Sequence, residues 1–416
     1  MPPADLAIAL ALGLGLYMAY SIGANDAANA MGTSVGSRAL TLRQAILVAA
    51  VFEFLGAFLA GGQVTKTIRG GILDSAIVQT SPDLLVYGML ASLVAAGSWL
   101  ILASRLGWPV STTHSIVGAI AGFGLVAFGS EAIEWQRLLR IVASWGISPL
   151  LSGTAAFLVF LAVRRTILDH SDPVQQMRRW GPVYIFAVVE VIALVTLFKG
   201  LRHLHLDFSL SEALLRGTAL AAVAALIGHR VLRRMRIDPE ADRSFHFAAV
   251  ERMFGVLQVL SACAVAFAHG SNDVANAIGP MAAVLSIRQT GLLEATAPVA
   301  PLLLVVGGLG IVVGLATLGY RVMATIGRRI TELTPSRGFT AEFAAATTIV
   351  LASRLGIPVS TTHVLVGAVL GVGLARGIGA LDYRVVGRIV LSWIVTIPVG
   401  AGLSIFFFYF FKGLAP

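Results

Sequence analysis

Long blocks of apolar residues, separated by short polar connections, make up most of the chain. Leu84–Ala103 is twenty residues without a charge, and Ile389–Phe411 is longer. A helix needs roughly 20 apolar residues to span the hydrocarbon core of a bilayer. The hydrophobic pattern therefore predicts an all-α integral membrane protein.

The apolar blocks predict about twelve transmembrane helices, some of them discontinuous. The block at 213–228 is weakened by Arg216, and the short blocks at 339–353 and 359–375 have the length of hairpin arms rather than full crossings. The predicted spans centre on residues 6–22, 44–62, 84–103, 110–128, 141–163, 183–198, 213–228, 253–269, 295–319, 339–353, 359–375 and 389–411.

The distribution of Lys and Arg predicts how these helices are oriented. Twenty of the 30 basic residues lie in connections that follow odd-numbered spans, among them the arginine-rich segment His229–Arg252. Loops on the cytoplasmic side of a membrane carry the excess of basic residues. We therefore expect a multi-pass protein of the cell (inner or plasma) membrane with both termini outside.

Composition agrees with a membrane protein. The chain of 416 residues is 57% hydrophobic and only 12% charged, which is too few charges to cover a soluble domain. Its net charge of +9 comes from arginines between apolar blocks, so no nucleic-acid partner is expected. The single cysteine, Cys263, excludes an intrachain disulfide. No basic segment precedes Leu6–Tyr20, so this block is expected to be a retained first span rather than a cleaved signal.

Three sequence blocks occur twice, in the same order and at offsets of 247 to 249 residues. The pairs are GANDAANAMG and GSNDVANAIG at 23–32 and 270–279, SRLGWPVSTTHSIVGAIAGFGL and SRLGIPVSTTHVLVGAVLGVGL at 104–125 and 353–374, and RIVASW and RIVLSW at 140–145 and 388–393. Self-similarity at one fixed offset indicates that the chain is a duplication.

The predicted spans also set the relative orientation of the two copies. The copies begin at spans one and eight, and an odd number of crossings between them turns the second copy upside down. Inverted repeats are characteristic of secondary transporters, whose substrate sites lie near the midplane at the repeat interface. We predict a first repeat at 1–163, a connecting region with two spans and basic loops at 164–252, and a second, inverted repeat at 253–416.

The Asn-Asp motif places polar side chains at the end of an apolar span in each copy. These are Asn25, Asp26 and Asn29, and Asn272, Asp273 and Asn276. A carboxylate inside a membrane is costly, so it usually faces a cavity, pairs, or binds an ion. Gly and Asn also weaken a helix, so the motif predicts an interrupted helix lining a cavity. A polar packing cluster is the alternative for either copy alone, but two interruptions at corresponding positions indicate a binding site.

The PVSTTH motif predicts the start of a short helix in each copy. Pro suits a first helical turn, and Ser or Thr favours the N-cap. First-turn N–H groups lack intrahelical partners and the helix dipole is positive there, so such an end suits an anion. The motif adds hydroxyl donors on Ser111, Thr112, Thr113, Ser360, Thr361 and Thr362. Simple helix capping is the alternative; duplication opposite the Asn-Asp motif favours an anion site.

Together the two motifs predict a site for an anion and a coupled cation. An anion beside Asp26 and Asp273 requires either protonated carboxylates or cations between them. Carboxylates, amide oxygens such as those of Asn29 and Asn276, and main-chain carbonyls suit a hard cation such as Na⁺. Bound Na⁺ or H⁺ would neutralise the carboxylates, so the residues support coupling more strongly than they identify the ion.

GANDAANAMGTSVGS, GSNDVANAIGP and the two PVSTTH segments resemble the duplicated signatures of the inorganic phosphate transporter (PiT) family, the sodium- or proton-coupled phosphate symporters. The resemblance covers nearly the whole chain and implies twelve spans, inverted repeats, outside termini and phosphate uptake. Ala27 stands where many members have Val. By position, the implied cation ligands include Asp26 and Asp273. The implied phosphate ligands are Asn25, Asp26, Ser111, Thr112, Thr113, Asn272, Asp273, Ser360, Thr361 and Thr362.

Five further ionisable residues are considered, three glutamates outside the motifs and the histidine that ends each PVSTTH motif. Glu53 and Glu342 lie in apolar runs and resemble acidic positions important in the family, so they are candidate cation ligands or proton carriers, with packing roles as the alternative. Glu190 matches no motif, and a local pairing role is favoured. His114 and His363 are expected to be hydrogen-bonding residues of the short helices rather than catalysts or metal ligands, with a pH-sensing role open.

The alternatives to phosphate symport are transport of another oxyanion, a passive channel and a membrane enzyme. Sulfate or another oxyanion is the alternative substrate within the same fold, and a passive channel differs in being unable to concentrate its substrate. A membrane enzyme is disfavoured because the chain has no nucleophile elbow, HExxH or Walker pattern. The expected partners are inorganic phosphate, Na⁺ or H⁺ and the lipid bilayer. No cofactor is expected, and a homodimer stays open.

Overall fold

The described part of the chain is almost entirely helical. The computed structural model describes residues 4–197, 208–235, 247–294, 299–323, 333–377 and 383–414. Within these ranges there is no β-strand, only an isolated antiparallel bridge between Leu73 and Ile133. The prediction of an all-α protein is confirmed.

The helices of the described ranges follow the predicted apolar blocks. In chain order they are α1 (Ala4–Gly36), α2 (Leu42–Ala60), α3 (Gly62–Gly70), α4 (Ser75–Val78), α5 (Pro82–Leu106), α6 (Thr112–Phe128), α7 (Trp135–Val163), α8 (Pro173–Leu197), α9 (Leu210–Arg234), α10 (Ala248–Thr290), α11 (Pro301–Thr317), α12 (Pro335–Arg354), α13 (Thr361–Arg376) and α14 (Tyr383–Gly413). Each predicted span overlaps one of these helices, although residues 198 and 295–298 of two spans lie outside the described residues.

Seven helices of the described residues are long and apolar enough to cross a membrane. They are Asp5–Gly36, Leu42–Ala60, Pro82–Leu106, Trp135–Leu168, Leu210–Arg234, Ala248–Thr290 and Val386–Gly413. Three shorter apolar helices, α6, α11 and α13, accompany them. The molecule is thus a multi-pass membrane protein, and the count of twelve crossings stays a prediction.

The predicted interruption of the Asn-Asp helices is wrong. Helix α1 continues through Asn25, Asp26 and Asn29 to Gly36, and α10 likewise continues to Thr290. The amide of Asn29 donates to Asp26, three residues earlier, at 2.8 Å. The polar side chains therefore bond one another and neighbouring helices, so they do not compete for the backbone of their own helix.

The predicted short helices are confirmed, and each ends a helical hairpin. Helices α5 and α6 are joined at Gly107 (φ 68°), and α12 and α13 at Gly356 (φ 69°). Helix α6 begins at Thr112 after the N-cap Ser111, and α13 begins at Thr361 after the corresponding N-cap, Ser360. The PVSTT segments thus bring two helix N-termini inside the helical bundle.

The two predicted repeats exchange helices. Helix α7 of the first packs on α13 of the second, and α14 of the second packs on α6 of the first. Similarly α1 packs on α11, and α10 packs on α2. The last two contacts depend on glycine: a Cβ on Gly23 would lie 1.9 Å from the Ile311 carbonyl oxygen, and one on Gly270 would lie 2.1 Å from the Glu53 carbonyl oxygen. The division at 163 and 253 stays a prediction, but helices on either side of it form one interwoven bundle.

We expect Gly23→Ala to destabilise the protein. The new methyl group would clash with the backbone of α11, which has no flexible side chain to move away, and overpacking of this kind costs about 1–3 kcal/mol. Thermal unfolding in detergent would show a lower midpoint for the variant. Gly13→Ala in the same helix is the matched control, because a Cβ there meets nothing within 4 Å. Equal midpoints for the two variants would contradict the close packing of α1 on α11.

Candidate functional site

Two buried aspartates face the two short helices. The Thr112 hydroxyl donates to Asp26, and the Thr361 hydroxyl donates to Asp273 at 2.7 Å. All four side chains are buried. Each aspartate is therefore held by the first threonine of its own repeat's short helix, as expected if the two motifs build one site.

The asparagines and second threonines link the two repeats. Asn29 donates to Thr362 of the other repeat at 2.7 Å, and Asn276 donates to Thr113 at 3.4 Å. Thr113 in turn donates to the Val359 carbonyl at 3.0 Å, in the opposite hairpin. The aspartate, the second asparagine and the two threonines predicted in each repeat thus meet in one buried group.

His269 lies at the centre of this group and was not among the site residues predicted from the sequence. Its Nε2 is 3.0 Å from an oxygen of Asp273 and 3.8 Å from an oxygen of Asp26, and its Nδ1 is 3.3 Å from Glu53. The repeat could not have revealed it, because the matching residue of the first copy is Ile22. When protonated, the imidazolium would place one positive charge among three carboxylates. The same contacts put Glu53 in the central site.

Several oxygens in this group have no hydrogen-bond donor among the described residues. They are Oδ1 of Asn29, Oδ1 of Asn276 and Oε2 of Glu53, while Oε1 of Glu53 has only the Nδ1 of His269 nearby, at 3.3 Å. A buried acceptor without a donor is costly, and it is normally paired or bound to an ion. Amide and carboxylate oxygens are the ligands that hard cations prefer. The group around Asp26 and Asp273 can therefore hold a cation.

Ser111 and Ser360 are helix caps rather than free hydroxyls in this structure. Ser111 accepts from the His114 N–H at 3.2 Å, and Ser360 accepts from the His363 N–H at 3.3 Å. The N–H groups of the first two residues of each short helix, including Thr112 and Thr361, come before this capped group and have no partner within their helix. Two sets of main-chain donors thus point into the buried group, where an anion would be favoured.

Asn25 and Asn272 point to the hairpins and not to the aspartates. Asn25 donates to Ser104 and to the Trp108 carbonyl, both at 3.1 Å. Asn272 donates to Ser353 at 3.1 Å. Their bonds position the hairpins that carry the short helices.

Glu342 lies in a second buried polar cluster, away from the bonds of the central group. Its carboxylate accepts from Thr33 at 2.6 Å, Ser34 at 2.5 Å, Ser261 at 2.5 Å and Gln258 at 3.2 Å. All five residues are buried between α1, α10 and α12. Thr33, Ser34 and Ser261 supply hydroxyl oxygens beside the carboxylate, whereas Gln258 presents its amide nitrogen. The carboxylate and three hydroxyl oxygens of this cluster can also hold a cation.

His114, His363 and Glu190, the other ionisable residues singled out from the sequence, have partners on neighbouring helices. Nδ1 of His114 lies 3.3 Å from the Trp393 carbonyl, and Nδ1 of His363 lies 2.9 Å from the Trp145 carbonyl. Glu190 accepts from Thr218 at 3.2 Å, which joins α8 to α9. Each histidine is therefore a hydrogen-bonding residue whose partner lies on a neighbouring helix, and Glu190 pairs with Thr218 on the adjacent helix.

The fold, with this enclosed group of carboxylates, amides and short-helix N-termini, is that of a multi-pass helical membrane transporter. More specifically, the chain belongs to the phosphate transporter family, whose model matches residues 22–404. The resemblance drawn from the motifs is thus confirmed. The family and the relatives are transporters rather than enzymes.

Relatives match along nearly the full chain. A protein of Haemophilus influenzae named as a phosphate permease is 46% identical over 396 residues, covering 95% of this chain and 94% of the relative. The inorganic phosphate transporter 2-1 of Arabidopsis thaliana, a chloroplast protein, is 47% identical and is covered over 71% of its length. A solved structure titled "The sodium-dependent phosphate transporter" is 42% identical, with a TM-score of 0.91 over 98% of this chain and 100% of that chain.

We expect His269→Leu to destabilise the central group. The substitution removes the basic group beside Asp26, Glu53 and Asp273, and leaving a buried charge uncompensated costs about 3–5 kcal/mol. Thermal unfolding in sodium-free buffer measures the loss, and added Na⁺ should recover part of it because a cation can replace the missing positive charge. His170→Leu, at an exposed position, is the control. An unchanged unfolding midpoint would exclude His269 as the counter-charge of the group.

Proposed function

We propose that the protein imports inorganic phosphate by cation symport through alternating access, with Na⁺ favoured as the coupling ion and H⁺ as the second candidate. The observation that carries the proposal is the buried group in which Asp26 and Asp273 meet the two short-helix N-termini. An anion-attracting end and a cation-attracting carboxylate lie side by side in each half. Such a group favours the two ions together over either one alone.

The hydrogen bonds suggest how the two ions are coupled. Without a bound cation, Thr112 and Thr361 donate their hydroxyl protons to Asp26 and Asp273. A cation that takes over the carboxylate oxygens would accept the lone pairs of the same hydroxyls, leaving their protons free to donate to phosphate. Cation binding thus supplies phosphate donors and removes negative charge at once.

Sodium is the favoured cation because of the ligands and the relatives. The donor-free oxygens of Asn29, Asn276 and Glu53 lie beside the aspartates, so a cation would find amide and carboxylate oxygens together. Protons need no such set of additional oxygens. The solved relative titled as sodium-dependent shares 42% of its residues with this chain, which supports the same ion here.

Glu342 is proposed as a second, separate cation or proton position. Its cluster offers hydroxyl oxygens of Thr33, Ser34 and Ser261 and the amide of Gln258 around one carboxylate. It lies on α12, which precedes the short helix α13 directly. A cation bound there could bias the position of the hairpin that carries Thr361.

The exchange of helices supports two inverted repeats. The pairs α7–α13 and α14–α6 are related by the sequence offset. Gly23 and Gly270 are also related by it, and each packs against a main-chain carbonyl of the other repeat. We propose twelve crossings with both termini outside and a cell-membrane location, as the distribution of basic residues favours. The substrate would then lie near the midplane, between the repeats.

Phosphate is favoured over sulfate by the acceptors in the site. Hydrogen phosphate retains a proton that can be donated to a carboxylate, whereas sulfate at neutral pH has only acceptor oxygens. Asp26 and Asp273 lie beside the short-helix donors and can supply such acceptors. A sulfate or other oxyanion permease of the same fold stays the alternative, and competition by sulfate would reveal it.

Uptake into proteoliposomes should test substrate and coupling together. With Na⁺ and H⁺ gradients imposed separately, we expect the Na⁺ gradient to concentrate phosphate inside the vesicles and excess sulfate to compete weakly. Asp26→Asn and Asp273→Asn should each abolish gradient-driven uptake, because the coupled cation loses its charged ligand. Glu190→Gln is the control, an acid in another helix. Full gradient-driven uptake by both aspartate variants would remove them from the mechanism, and equilibration without accumulation would indicate a channel.

Glu342→Gln should weaken coupling without removing the central site. We expect the Na⁺ concentration for half-maximal uptake to rise at least about tenfold, because the second cluster loses its charge. Glu251→Gln is a matched control: Glu251 also joins α10 to α12, through Ser336 at 2.7 Å, but lies at the helix ends. The same Na⁺ dependence in both variants would show that Glu342 only packs.

A further inference from the structure

The loops at the tips of the two hairpins are held in different ways. The first loop, 107–111, precedes α6, and the second loop, 356–360, precedes α13. The sequence repeat gives each loop the same two potential holders: an asparagine from the Asn-Asp motif, and a tryptophan from RIVASW or RIVLSW. The tryptophans are a repeated feature for which phosphate and cation binding give no reason.

The asparagine holds the first loop only. Oδ1 of Asn25 accepts from the Val110 N–H at 3.3 Å, and its amide donates to the Trp108 carbonyl at 3.1 Å. In the second loop, Asn272 keeps its bond to Ser353, but its Oδ1 is buried without a partner among the described residues. The bond that would match Asn25 is therefore missing.

The tryptophan holds the second loop only. The indole N–H of Trp145 donates to the Pro358 carbonyl at 3.2 Å. The matching indole N–H of Trp393 is enclosed and has no partner in the described part of the chain. The matching carbonyl, that of Pro109, receives only a long contact of 3.5 Å from Ser392.

The two missing bonds are thus the repeat mates of the two bonds that are made. Enclosed polar groups without partners cost free energy, so independent losses at two matched positions need a common reason. Exchange between two states provides one, because each repeat would adopt in the second state the bonds that its mate has in the first. Two packings of one structure that differ by a few contacts are the usual basis of such transitions.

We propose that Trp145 and Trp393 are positioning residues that form a reciprocal latch on the hairpin loops. In the described state Trp145 holds the second loop and Asn25 holds the first. In the alternate state Trp393 donates to the Pro109 carbonyl and Asn272 binds the Val359 N–H, while Trp145 and Asn25 release their loops. The latch rests on the alternating access proposed above, for which it names the residues that distinguish the two states.

The histidines that follow the threonines connect the two tryptophans. The ring of His114 packs on Trp145 with centroids 3.8 Å apart, and the ring of His363 packs on Trp393 at 3.5 Å. The two histidine rings meet at 4.4 Å. Each histidine also lies within hydrogen-bond distance of the main-chain carbonyl of the other tryptophan, so the histidine pair forms a continuous set of contacts between the two indoles.

The indole N–H signals of ¹⁵N-tryptophan-labelled protein in detergent test this latch directly. Trp145→Phe and Trp393→Phe keep an aromatic ring and remove one N–H each, and each variant identifies its own signal by losing it. In the wild type we expect a hydrogen-bonded Trp145 signal and a free Trp393 signal. In Trp145→Phe, the hydrogen-bonded population of Trp393 should rise about fivefold, the effect of one lost hydrogen bond. In Trp393→Phe, the Trp145 signal should stay hydrogen-bonded.

Trp135→Phe is the matched control. Trp135 lies on the same helix as Trp145 and donates to the Ser130 carbonyl at 2.9 Å, outside both loops, so its loss should leave Trp393 unchanged. If Trp145→Phe also leaves the Trp393 signal unchanged, the two tryptophans act independently of each other and the latch is wrong. The measurement needs neither phosphate nor a gradient, so failure of phosphate uptake and failure of the latch are separate results.

Discussion

Two carboxylates buried at one interface are the constraint on which the rest of the structure depends. Asp26 and Asp273 both lie close to His269, in surroundings that water does not reach. Charges so placed need hydrogen bonds and a counter-charge to be tolerated. The threonine at the start of each short helix supplies a hydrogen bond to one carboxylate, and the imidazole between the carboxylates can supply the counter-charge. Each short helix begins inside the bundle, where its first threonine can donate to the aspartate.

The hydrogen bonds of the site fall into two sets, one within each repeat and one between the repeats. The first threonine of each short helix, Thr112 or Thr361, binds an aspartate of its own repeat. The second, Thr113 or Thr362, accepts from an asparagine of the other repeat. A movement of one repeat against the other would keep the first set and change the second. Under the proposed alternating access, the two Asp–Thr pairs would then stay formed while the contacts between the repeats change.

The duplicated part of the site could be predicted from the sequence, and the single-copy part could not. The offset paired Asp26 with Asp273, and the Pro-Ser-Thr pattern correctly predicted where α6 and α13 begin. The continuity of α1 and α10 was missed because propensity favours a break at Gly and Asn, whereas here the asparagines find partners on other helices. His269 was missed because a lone histidine beside an apolar run carries no pattern. Only its contacts in three dimensions distinguish it.

The two repeats differ at several ionisable positions, so the duplicated site is not symmetric. His269 has Ile22 as its mate by sequence offset, Glu342 has Leu93, and the position of Glu53 against Gly270 is taken by Ile311 against Gly23. His269 and Glu53 beside the aspartate pair, and Glu342 in the second cluster, are therefore each matched by an apolar residue. Two identical halves would make the two proposed orientations of the site equal in energy. Ionisable groups present in one repeat only would remove that equality, so under the proposed alternating access any preference between the states would come from residues that the repeat does not share.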